Sequence, residues 1–315
     1  MVAYEDIGRA RQTISDALHE TPCLRIASWE ETFGRALSFK AELFQRTGSF
    51  KPRGALNWIR NADADTLARG PLTVSAGNHA RALAWAARDA GADLTVVMPK
   101  AASPVKVEAT RAYGARVILH GEINEALART EEIRRKEGRI LVHPYDDPRI
   151  IAGQGTVGLE LLEQLAEVDM VACPIGGGGL ISGVGLALKH HRPGIRLIGV
   201  KPAGAPTLST AWEHGGPRRL ESARTIAASL GAAIAGELGY RISREVVDDI
   251  VTLGEEDIVR GARAMISQGK LYAEPGGAIA ASALRCGAIP LRGAERAVAV
   301  ISGGNLDPAT LRQLL

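Results

Sequence analysis

The residues best suited to chemistry lie in the segment 47–55, which reads Thr-Gly-Ser-Phe-Lys-Pro-Arg-Gly-Ala. Within it Lys51 stands between Phe50 and Pro52, a setting unlike the mixed-charge runs in which surface lysines usually occur. Burial among apolar neighbours would lower the pKa of this ammonium group, and the neutral amine could then act as a nucleophile or base. The structural alternative is a lysine at the start of a helix, with Ser49 as N-cap and Pro52 in the first turn.

The four consecutive glycines at 176–179 come between an apolar strand and the start of a helix. Their unhindered N–H groups, together with the helix N-terminus, could surround a phosphate. Two nucleotide motifs do not fit this run: no Lys-Ser or Lys-Thr follows as in a P-loop, and Ile181 and Ser182 stand where the last glycine of G-x-G-x-x-G would fall. This disfavours an NADP-dependent reductase. A merely flexible glycine turn is the structural alternative.

Two further turns follow predicted strands. The turn 75–79, Ser-Ala-Gly-Asn-His, could hold a carboxylate or an oxyanion through its main-chain N–H groups and the dipole of the following helix. The alternative is an ordinary helix N-cap made by Ser75 or Asn78, and we expect His79 to be packed in the helix rather than to act as a base. Ser302 begins the turn Ser-Gly-Gly-Asn, where it could face a ligand or be a turn serine only.

The elements that would position these turns alternate along the chain as strand, turn and helix. Uncharged, β-branched strand cores are typical of strands buried on both faces, so the alternation predicts an α/β fold with open, mostly parallel sheets covered by helices. The carboxyl ends of such strands gather the turns that bind ligands. We predict strands at 37–43, 72–74, 94–98, 116–119, 140–142, 170–173, 197–200 and 297–301, and helices at 4–19, 54–61, 80–90, 100–113, 122–137, 153–166, 180–190, 255–268 and 276–287.

These elements fall into two series, which predict two α/β lobes. The smaller lobe, residues 67–145, is embedded in a larger lobe built from residues 1–66 and 146–315. A chain of 315 residues is long enough for two lobes with substantial cores.

Composition limits the classes of function. The hydrophobic fraction of 46% is that of a soluble globular protein, and a net charge of +3 with 4% aromatic residues gives no basic surface for nucleic acid. There is no uncharged apolar run of about 18 residues, and the start of the chain does not read as a signal segment, so we expect a cytoplasmic protein that binds no membrane. The widely spaced cysteines predict reduced, buried thiols rather than a disulfide or a zinc site: Cys23, Cys173 and Cys286.

Six motifs, in this order and spacing, give the chain a resemblance to a known family. The sequence resembles the serine/threonine dehydratase and serine racemase family of pyridoxal-phosphate (PLP) enzymes of fold type II, from about residue 4 to residue 305. The resemblance implies a two-lobed fold similar to the tryptophan synthase β subunit, with PLP in the larger lobe and the substrate carboxylate in the smaller one. The motifs lie at 49–55, 75–79, 143–144 with 151–156, 176–179, 274–275 and 302–305.

The resemblance also implies a role for each motif. Lys51 would form the Schiff base with PLP and, once the substrate amine has displaced it, take the proton from Cα. A serine hydroxyl at the pyridine nitrogen does not hold that nitrogen fully protonated, which favours loss of a β-leaving group over transamination. The implied cofactor contacts are Phe50 on the ring, Asn78 at the ring hydroxyl, Gly176, Gly177, Gly178 and Gly179 at the phosphate, and Ser302 at the pyridine nitrogen, while the substrate carboxylate would lie on Ser75, Ala76, Gly77, Asn78 and His79.

Three positions depart from the family pattern. Ala76 stands where racemases resemble Ser-Ser-Gly-Asn-His, with the second serine as proton donor on the opposite ring face, and this favours a dehydratase. Lys201 stands where metal-activated members have a glutamate; a lysine cannot ligate a divalent cation but its ammonium could substitute for the ion's charge, so we expect no metal site and little or no dependence on Mg²⁺ or Ca²⁺. Ala228 and Ser229 replace the Asp-Gly of a Thr-Ile-Ala-Asp-Gly-like segment and could reshape the side-chain pocket.

The sequence therefore predicts a PLP-dependent carbon–oxygen lyase, a dehydratase or ammonia-lyase of amino-acid catabolism. Its substrate would be a small β-hydroxy amino acid such as threonine, serine or 3-hydroxyaspartate, and its products a 2-oxo acid and ammonia. The alternatives are an amino-acid racemase of the serine or aspartate type and a non-catalytic protein that binds PLP or another phosphate ligand. We expect a homodimer, and no allosteric control by amino acids because no regulatory domain follows Leu315.

Overall fold

The computed structural model describes residues 2–291 and 293–314. Within these residues, β-strands form one six-stranded and one four-stranded sheet. The strands are β1 (Cys23–Arg25), β2 (Ala36–Ala41), β3 (Pro71–Val74), β4 (Thr95–Met98), β5 (Arg116–Leu119), β6 (Ile140–Leu141), β7 (Met170–Pro174), β8 (Arg196–Pro202), β9 (Asp249–Leu253) and β10 (Arg296–Ile301).

Helices connect most of the strands and cover both sheets. None of the described helices has the length and apolar character needed to cross a bilayer. The α-helices are α1 (Tyr4–Ile14), α2 (Ala27–Phe33), α3 (Pro52–Arg60), α4 (Ala64–Arg69), α5 (Asn78–Asp89), α6 (Pro104–Arg111), α7 (Ile123–Glu137), α8 (Pro148–Gln164), α9 (Gly179–His191), α10 (Thr207–His214), α11 (Glu237–Val246), α12 (Glu255–Ser267), α13 (Pro275–Arg285) and α14 (Pro308–Leu314).

The six-stranded sheet has the order β1-β2-β10-β7-β8-β9. Only β1 and β2 pair antiparallel, and the other neighbours are parallel. In β7 the side chains of Met170 and Ala172 join the core with α12 and α13, whereas Val171 and Cys173 join the core with α8 and α9. A strand covered by helices on both faces must be apolar at every position, which explains its uninterrupted apolar sequence.

The four-stranded sheet has the order β5-β4-β3-β6, and all of its pairs are parallel. In β4, Val96 and Met98 pack with α5 on one face, whereas Val97 packs with α7 on the other. The prediction of an α/β fold with mostly parallel sheets covered by helices is confirmed.

Helix α3, which begins directly after Lys51, packs against α5 on one side and α8 on the other. Its residues Leu56 and Trp58 belong to the same apolar core as α5 and β4. On its other side the N–H of Gly54 donates to Oε1 of Gln154 in α8, at 3.3 Å. The predicted lobe boundaries at residues 66 and 146 stay a prediction.

Contacts from elsewhere in the chain move some element ends. The helix predicted over 4–19 ends at Ile14, and the residues beyond it are bound to a distant side chain. Gln45 accepts from the N–H of His19 at 3.1 Å and donates to its carbonyl at 2.7 Å. The strand predicted over 37–43 ends at Ala41, where two short 3₁₀ helices begin.

The strands β1 and β9 are missing from the sequence prediction. Both are partly exposed edge strands, so neither shows the continuous apolar signal of a central strand. The thiols also differ from expectation: all three are free, but only Cys173 is buried, Cys23 is half-buried and Cys286 is exposed. The expectation of buried thiols is therefore wrong for Cys286.

Candidate active site

Lys51 lies at the N-cap of α3, and Pro52 occupies the first helical turn. Ser49 does not cap this helix; its hydroxyl is buried and has no hydrogen-bond partner in the described chain. The half-buried Lys51 donates from Nζ to the carbonyl oxygen of Pro144 at 2.8 Å. No carboxylate of the described residues offsets its charge, and burial lowers its pKa to about 8. Near neutrality roughly a tenth of this amine is therefore unprotonated, as a nucleophile requires.

The segment that precedes Lys51 runs beside the turn that follows β10. The N–H of Phe50 donates to the carbonyl of Ser302 at 3.1 Å, and an isolated antiparallel bridge joins Ser49 to Gly303. Ser302 is buried. The lysine segment and the serine turn are far apart in the sequence, but they meet at the carboxyl end of a central strand.

Asn78, the first residue of α5, is tied to two distant segments through its side chain. Its Nδ2 donates to Oε1 of Glu274 at 2.7 Å, and its Oδ1 accepts from Nδ2 of Asn305 at 2.7 Å. Asn305 also donates to the carbonyl of Thr47, at 2.8 Å. These bonds fix the amide of Asn78 beside the start of the lysine segment.

Glu274 is a site residue to which the sequence reasoning gave no role. It is the N-cap of α13 and is buried, and burial raises the pKa of its carboxyl group. A protonated or shared carboxyl in contact with Asn78 can exchange a proton or a hydrogen bond with a ligand. The available signal was a single acidic residue in the apolar run Ala-Glu-Pro-Gly-Gly.

The glycine loop 176–179 connects β7 to α9, whose first residue is Gly179. Gly178 has φ 108°, in the left-handed region that favours glycine. Within the described chain the N–H groups of these four glycines donate to no protein acceptor. Unused N–H donors next to a helix N-terminus are suited to hold an anion, and the phosphate role of this loop stays a prediction.

Tyr145 places the glycine loop close to Lys51, and the sequence reasoning missed it. Its backbone neighbour Pro144 accepts the hydrogen bond from Lys51. Its ring packs against Gly177 so closely that a Cβ at that position would overlap the ring, and a Cβ at Gly179 would lie 2.7 Å from its carbonyl oxygen. The phenol donates to the carbonyl of Ile234 at 2.9 Å, which holds the ring in place.

The turn 75–77 leads directly into Asn78. The N–H of Gly77 donates to Oγ of Ser75 at 3.3 Å. Gly77 itself is the N-cap of α5, and neither Ser75 nor Asn78 supplies a side-chain cap. Ser75, Ala76 and Gly77 are partly exposed, and no atom lies within 4 Å of a Cβ built on Gly77. The beginning of α5 is therefore open to a ligand.

His79 is packed inside α5, as expected, and is 3% exposed. Burial lowers its pKa well below the ordinary range, and the nearby Lys51 and His143 lower it further by charge repulsion. The imidazole is thus neutral beside the lysine, and it does not compete for an anionic ligand or serve as a proton store.

The pair Ala228 and Ser229 lies between the glycine loop and the start of α13, in a 3₁₀ helix over Ala228–Leu230. A Cβ at Gly176 would lie 3.7 Å from the carbonyl oxygen of Ser229, and a Cβ at Gly276 would overlap its hydroxyl. The substituted pair therefore borders the same site. Nowhere in residues 2–291 and 293–314 do three or more His, Cys, Asp or Glu side chains gather as metal ligands would.

Comparison with known proteins gives one family match over most of the chain. The family model described as pyridoxal-phosphate dependent enzyme matches residues 14–303. A catabolic L-threonine dehydratase of Escherichia coli K12 is 40% identical over 315 residues, covering 99% of this chain and 96% of that protein. An L-threonine ammonia-lyase of Thermotoga maritima is 39% identical over 308 residues, covering 98% of this chain and 76% of that protein.

A solved structure has the same fold. Serine racemase from maize superposes with a TM-score of 0.93 at 36% identity, covering 99% of this chain and 96% of that one. The fold-class prediction is confirmed by this agreement over nearly the whole length.

Proposed function

The chain belongs to the pyridoxal-phosphate-dependent enzyme family, and we propose that within it the protein is an ammonia-lyase that removes water from a small β-hydroxy amino acid. The products would be a 2-oxo acid and ammonia. The observation that carries this proposal is an amine close to a loop of unused N–H donors. Burial lowers the pKa of the Lys51 amine to about 8, and Tyr145 lies between this amine and the glycine loop. Threonine, serine and 3-hydroxyaspartate are the candidate substrates.

The residues present fit PLP. An aldehyde requires a partly neutral amine, which Lys51 supplies, and a phosphate requires donors, which the loop 176–179 offers with no competing protein acceptor in the described chain. The buried hydroxyl of Ser49, which has no partner among the described residues, is a further group that a ligand could satisfy. When bound, PLP supplies an aldehyde that links to amines and a ring that withdraws electrons from Cα, so that the Cα proton becomes acidic.

The protein's own groups would divide the work. We assign the phosphate to Gly176, Gly177, Gly178 and Gly179 with the N-terminus of α9, the ring face to Phe50, the ring hydroxyl to Asn78 and the pyridine nitrogen to Ser302. The substrate carboxylate would be held at the start of α5 by the turn Ser75, Ala76, Gly77, Asn78 and His79. Lys51 would take the Cα proton, as a base whose pKa is lowered by burial.

The neutrality of Ser302 supports elimination as the outcome. A hydroxyl at the pyridine nitrogen would not hold that nitrogen fully protonated as a carboxylate would, and this would favour loss of the β-hydroxyl over transamination. Asn78 donates a hydrogen bond to Glu274, and burial raises the pKa of the Glu274 carboxyl group. Both side chains could form hydrogen bonds with neutral oxygen atoms of the ligand.

A racemase is the second candidate, because a serine racemase shares the fold closely. Racemisation requires a second proton carrier on the face of Cα opposite Lys51. The turn offers Ala76 at the position where racemases resemble a serine, and a methyl group cannot exchange a proton. This favours the lyase.

Cofactor attachment is tested by spectroscopy and mass spectrometry. The purified protein should be yellow, and borohydride should fix a pyridoxyl group on the peptide that contains Lys51. A Lys51→Ala variant should lose the visible band, whereas Lys100→Ala, on the surface, should keep it. Colourless protein that takes up no PLP would contradict the proposal and favour a sensor of another phosphate ligand.

Two expectations about the whole molecule stay predictions: a cytoplasmic location and a homodimer. Exposed apolar side chains such as Phe44 and Tyr272, 48% and 44% exposed, are available for a subunit contact. Light scattering of the purified protein would report one chain mass or two.

A further inference from the structure

Lys201 lies beneath the glycine loop, and the proposed reaction does not use it. It is the penultimate residue of β8, and its side chain is fully buried. Its Nζ donates to the carbonyl oxygens of Ile175 and Gly176 at 3.0 and 2.9 Å. These are the residue before the glycine loop and the first residue within it.

The charge of Lys201 has no counter-ion in the described chain. Burial alone accounts for the shift of its pKa, which falls to about 7. Thr207 of α10 donates from Oγ1 to the same Gly176 carbonyl oxygen, at 3.4 Å. An unpaired buried ammonium is costly, which is why its pKa falls, and an anion bound nearby would favour the charged form.

The hydrogen bonds of Lys201 also set the direction of the loop's donors. In a planar trans peptide the C=O and the N–H point in opposite directions, and the described chain has no cis peptide bond. Holding the carbonyls of Ile175 and Gly176 toward Lys201 therefore turns the N–H groups of Gly176 and Gly177 away from it. The next carbonyl, of Gly177, is held in turn by the N–H of Gly236 at 2.9 Å.

We propose that Lys201 is a positioning residue for phosphate: it orients the N–H donors of the glycine loop and supplies a positive charge behind them. The inference rests on the proposed function, since the phosphate in question is that of PLP. Lys201 makes no contact with the reacting atoms. Its effect should therefore appear in the contribution of the phosphate to cofactor affinity and not in the reactivity of Lys51.

The test compares PLP with pyridoxal, which has the same aldehyde and ring but no phosphate. Full-length protein freed of cofactor is titrated with each compound, and the visible absorption band gives two dissociation constants. Their ratio isolates the phosphate contribution, because both compounds react with Lys51. The ratio is measured for the unmodified protein, for Lys201→Met, and for Lys201→Gln, which keeps a donor for the carbonyls but has no charge.

A matched control is Lys189→Met. Lys189 also donates to two main-chain carbonyls, of Pro193 and Ile195 at 3.3 and 2.8 Å, but at the far end of α9. We expect Lys201→Met to reduce the preference for PLP over pyridoxal by at least about tenfold, Lys201→Gln to reduce it less, and Lys189→Met to leave it unchanged.

The outcomes separate the two levels of the proposal. If the ratio of the two dissociation constants is unchanged in both Lys201 variants, the inference is overturned. Equal weakening of PLP and pyridoxal, which leaves this ratio unchanged, would mean a merely structural role for Lys201. Should Lys201→Met fail to fold, Lys201→Gln decides by the same ratio. If the unmodified protein forms no visible band with either compound, the proposed function itself fails.

Discussion

Replacing Glu160 by glutamine should remove much of the protein's stability, because this residue belongs to a buried cluster of four charges next to the helix that begins after Lys51. Arg53 of α3 donates to Glu42 at 2.8 and 2.8 Å and to Glu160 at 2.5 and 2.8 Å. Lys40 of β2 donates to Glu160 at 2.6 Å. None of the four side chains is more than 8% exposed. The two cations and two anions balance, with little solvent to screen them.

The Glu160→Gln variant keeps the side-chain shape but leaves two buried cations with one carboxylate. Its amide NH₂ would also face the N–H groups of Arg53 or Lys40, donor against donor. Neutralising one partner of a buried ion pair costs about 3–5 kcal/mol. Since the ordinary stability of a domain is roughly 5–15 kcal/mol, the loss should be large in the unfolding curve.

The pH dependence gives the prediction a second check. Burial alone would raise the pKa of Glu160, but Arg53 and Lys40 outweigh burial and hold the pKa below the usual glutamate value. A carboxyl with a lowered folded pKa stabilises the protein fully above its unfolded pKa, and the contribution is lost as the pH falls through the folded value. The difference between the two proteins should therefore be greatest at neutral pH and shrink in acid.

Glu163→Gln is the matched control, since Glu163 lies on the same helix and also pairs with an arginine. That pair, with Arg11, is 54% and 31% exposed, so its loss should cost less than about 1 kcal/mol. Urea unfolding at neutral and acid pH, followed by tryptophan fluorescence, gives both values. A Glu160→Gln loss no greater than that of Glu163→Gln would refute the reasoning about the buried cluster.

Three further predictions concern the site. In cofactor-free protein, the rate at which an amine reagent labels Lys51 should rise with pH around a midpoint of about 8, because burial lowers the pKa of this amine. Mass spectrometry measures the labelling rate, with surface Lys100 as the internal comparison and PLP as a protecting ligand. A midpoint near the ordinary lysine value of about 10.4 would contradict the desolvated amine. Gly177→Ala should weaken PLP binding at least about tenfold, because the added methyl group overlaps the Tyr145 ring. Gly194→Ala, at a position with open space around it, should bind PLP normally. Equal affinities of the two variants for PLP would contradict the tight packing at Gly177. Dialysis against a chelator should change ammonia release by less than about twofold, because Lys201 stands where metal-activated members have a glutamate, and a larger loss restored by Mg²⁺ would contradict this expectation.

The central strands could be predicted because burial on two faces leaves an unmistakable pattern. β7 is apolar throughout and β10 is apolar after Arg296, and their apolar side chains alternate between the two helical layers. The glycine loop was predictable for a similar reason: four glycines directly after such a strand have few structural uses besides an exposed row of N–H groups. Local sequence sufficed in both cases.

The side-chain network of the site could not be predicted, because its members come from distant segments. The hydrogen bonds that join Asn78 to Glu274 and to Asn305 connect positions 196 and 227 residues apart. Nothing in the local sequence of Asn78 distinguishes a residue that caps its own helix from one that bonds elsewhere. Tyr145 was missed likewise, since its contact with Gly177 depends on how two loops meet.

The end of the first helix shows the same limit for the fold. The apolar spacing of Ile7, Ile14 and Leu18 continues past the point where the helix stops. The chain leaves the helix there because Gln45 offers His19 two hydrogen bonds that a continuing helix would replace. A tertiary contact thus decided the boundary against the local pattern.

The most direct test of the proposed function is to measure ammonia and 2-oxo acid release beside racemisation in the same purified protein. The substrates would be threonine, serine and 3-hydroxyaspartate, in both enantiomers and, where they exist, both diastereomers. With Ala76 in place and Lys51 as the proton carrier at Cα, at least one of these compounds should lose ammonia faster than it changes configuration. Interconversion of enantiomers that outruns ammonia release for every substrate would contradict the lyase.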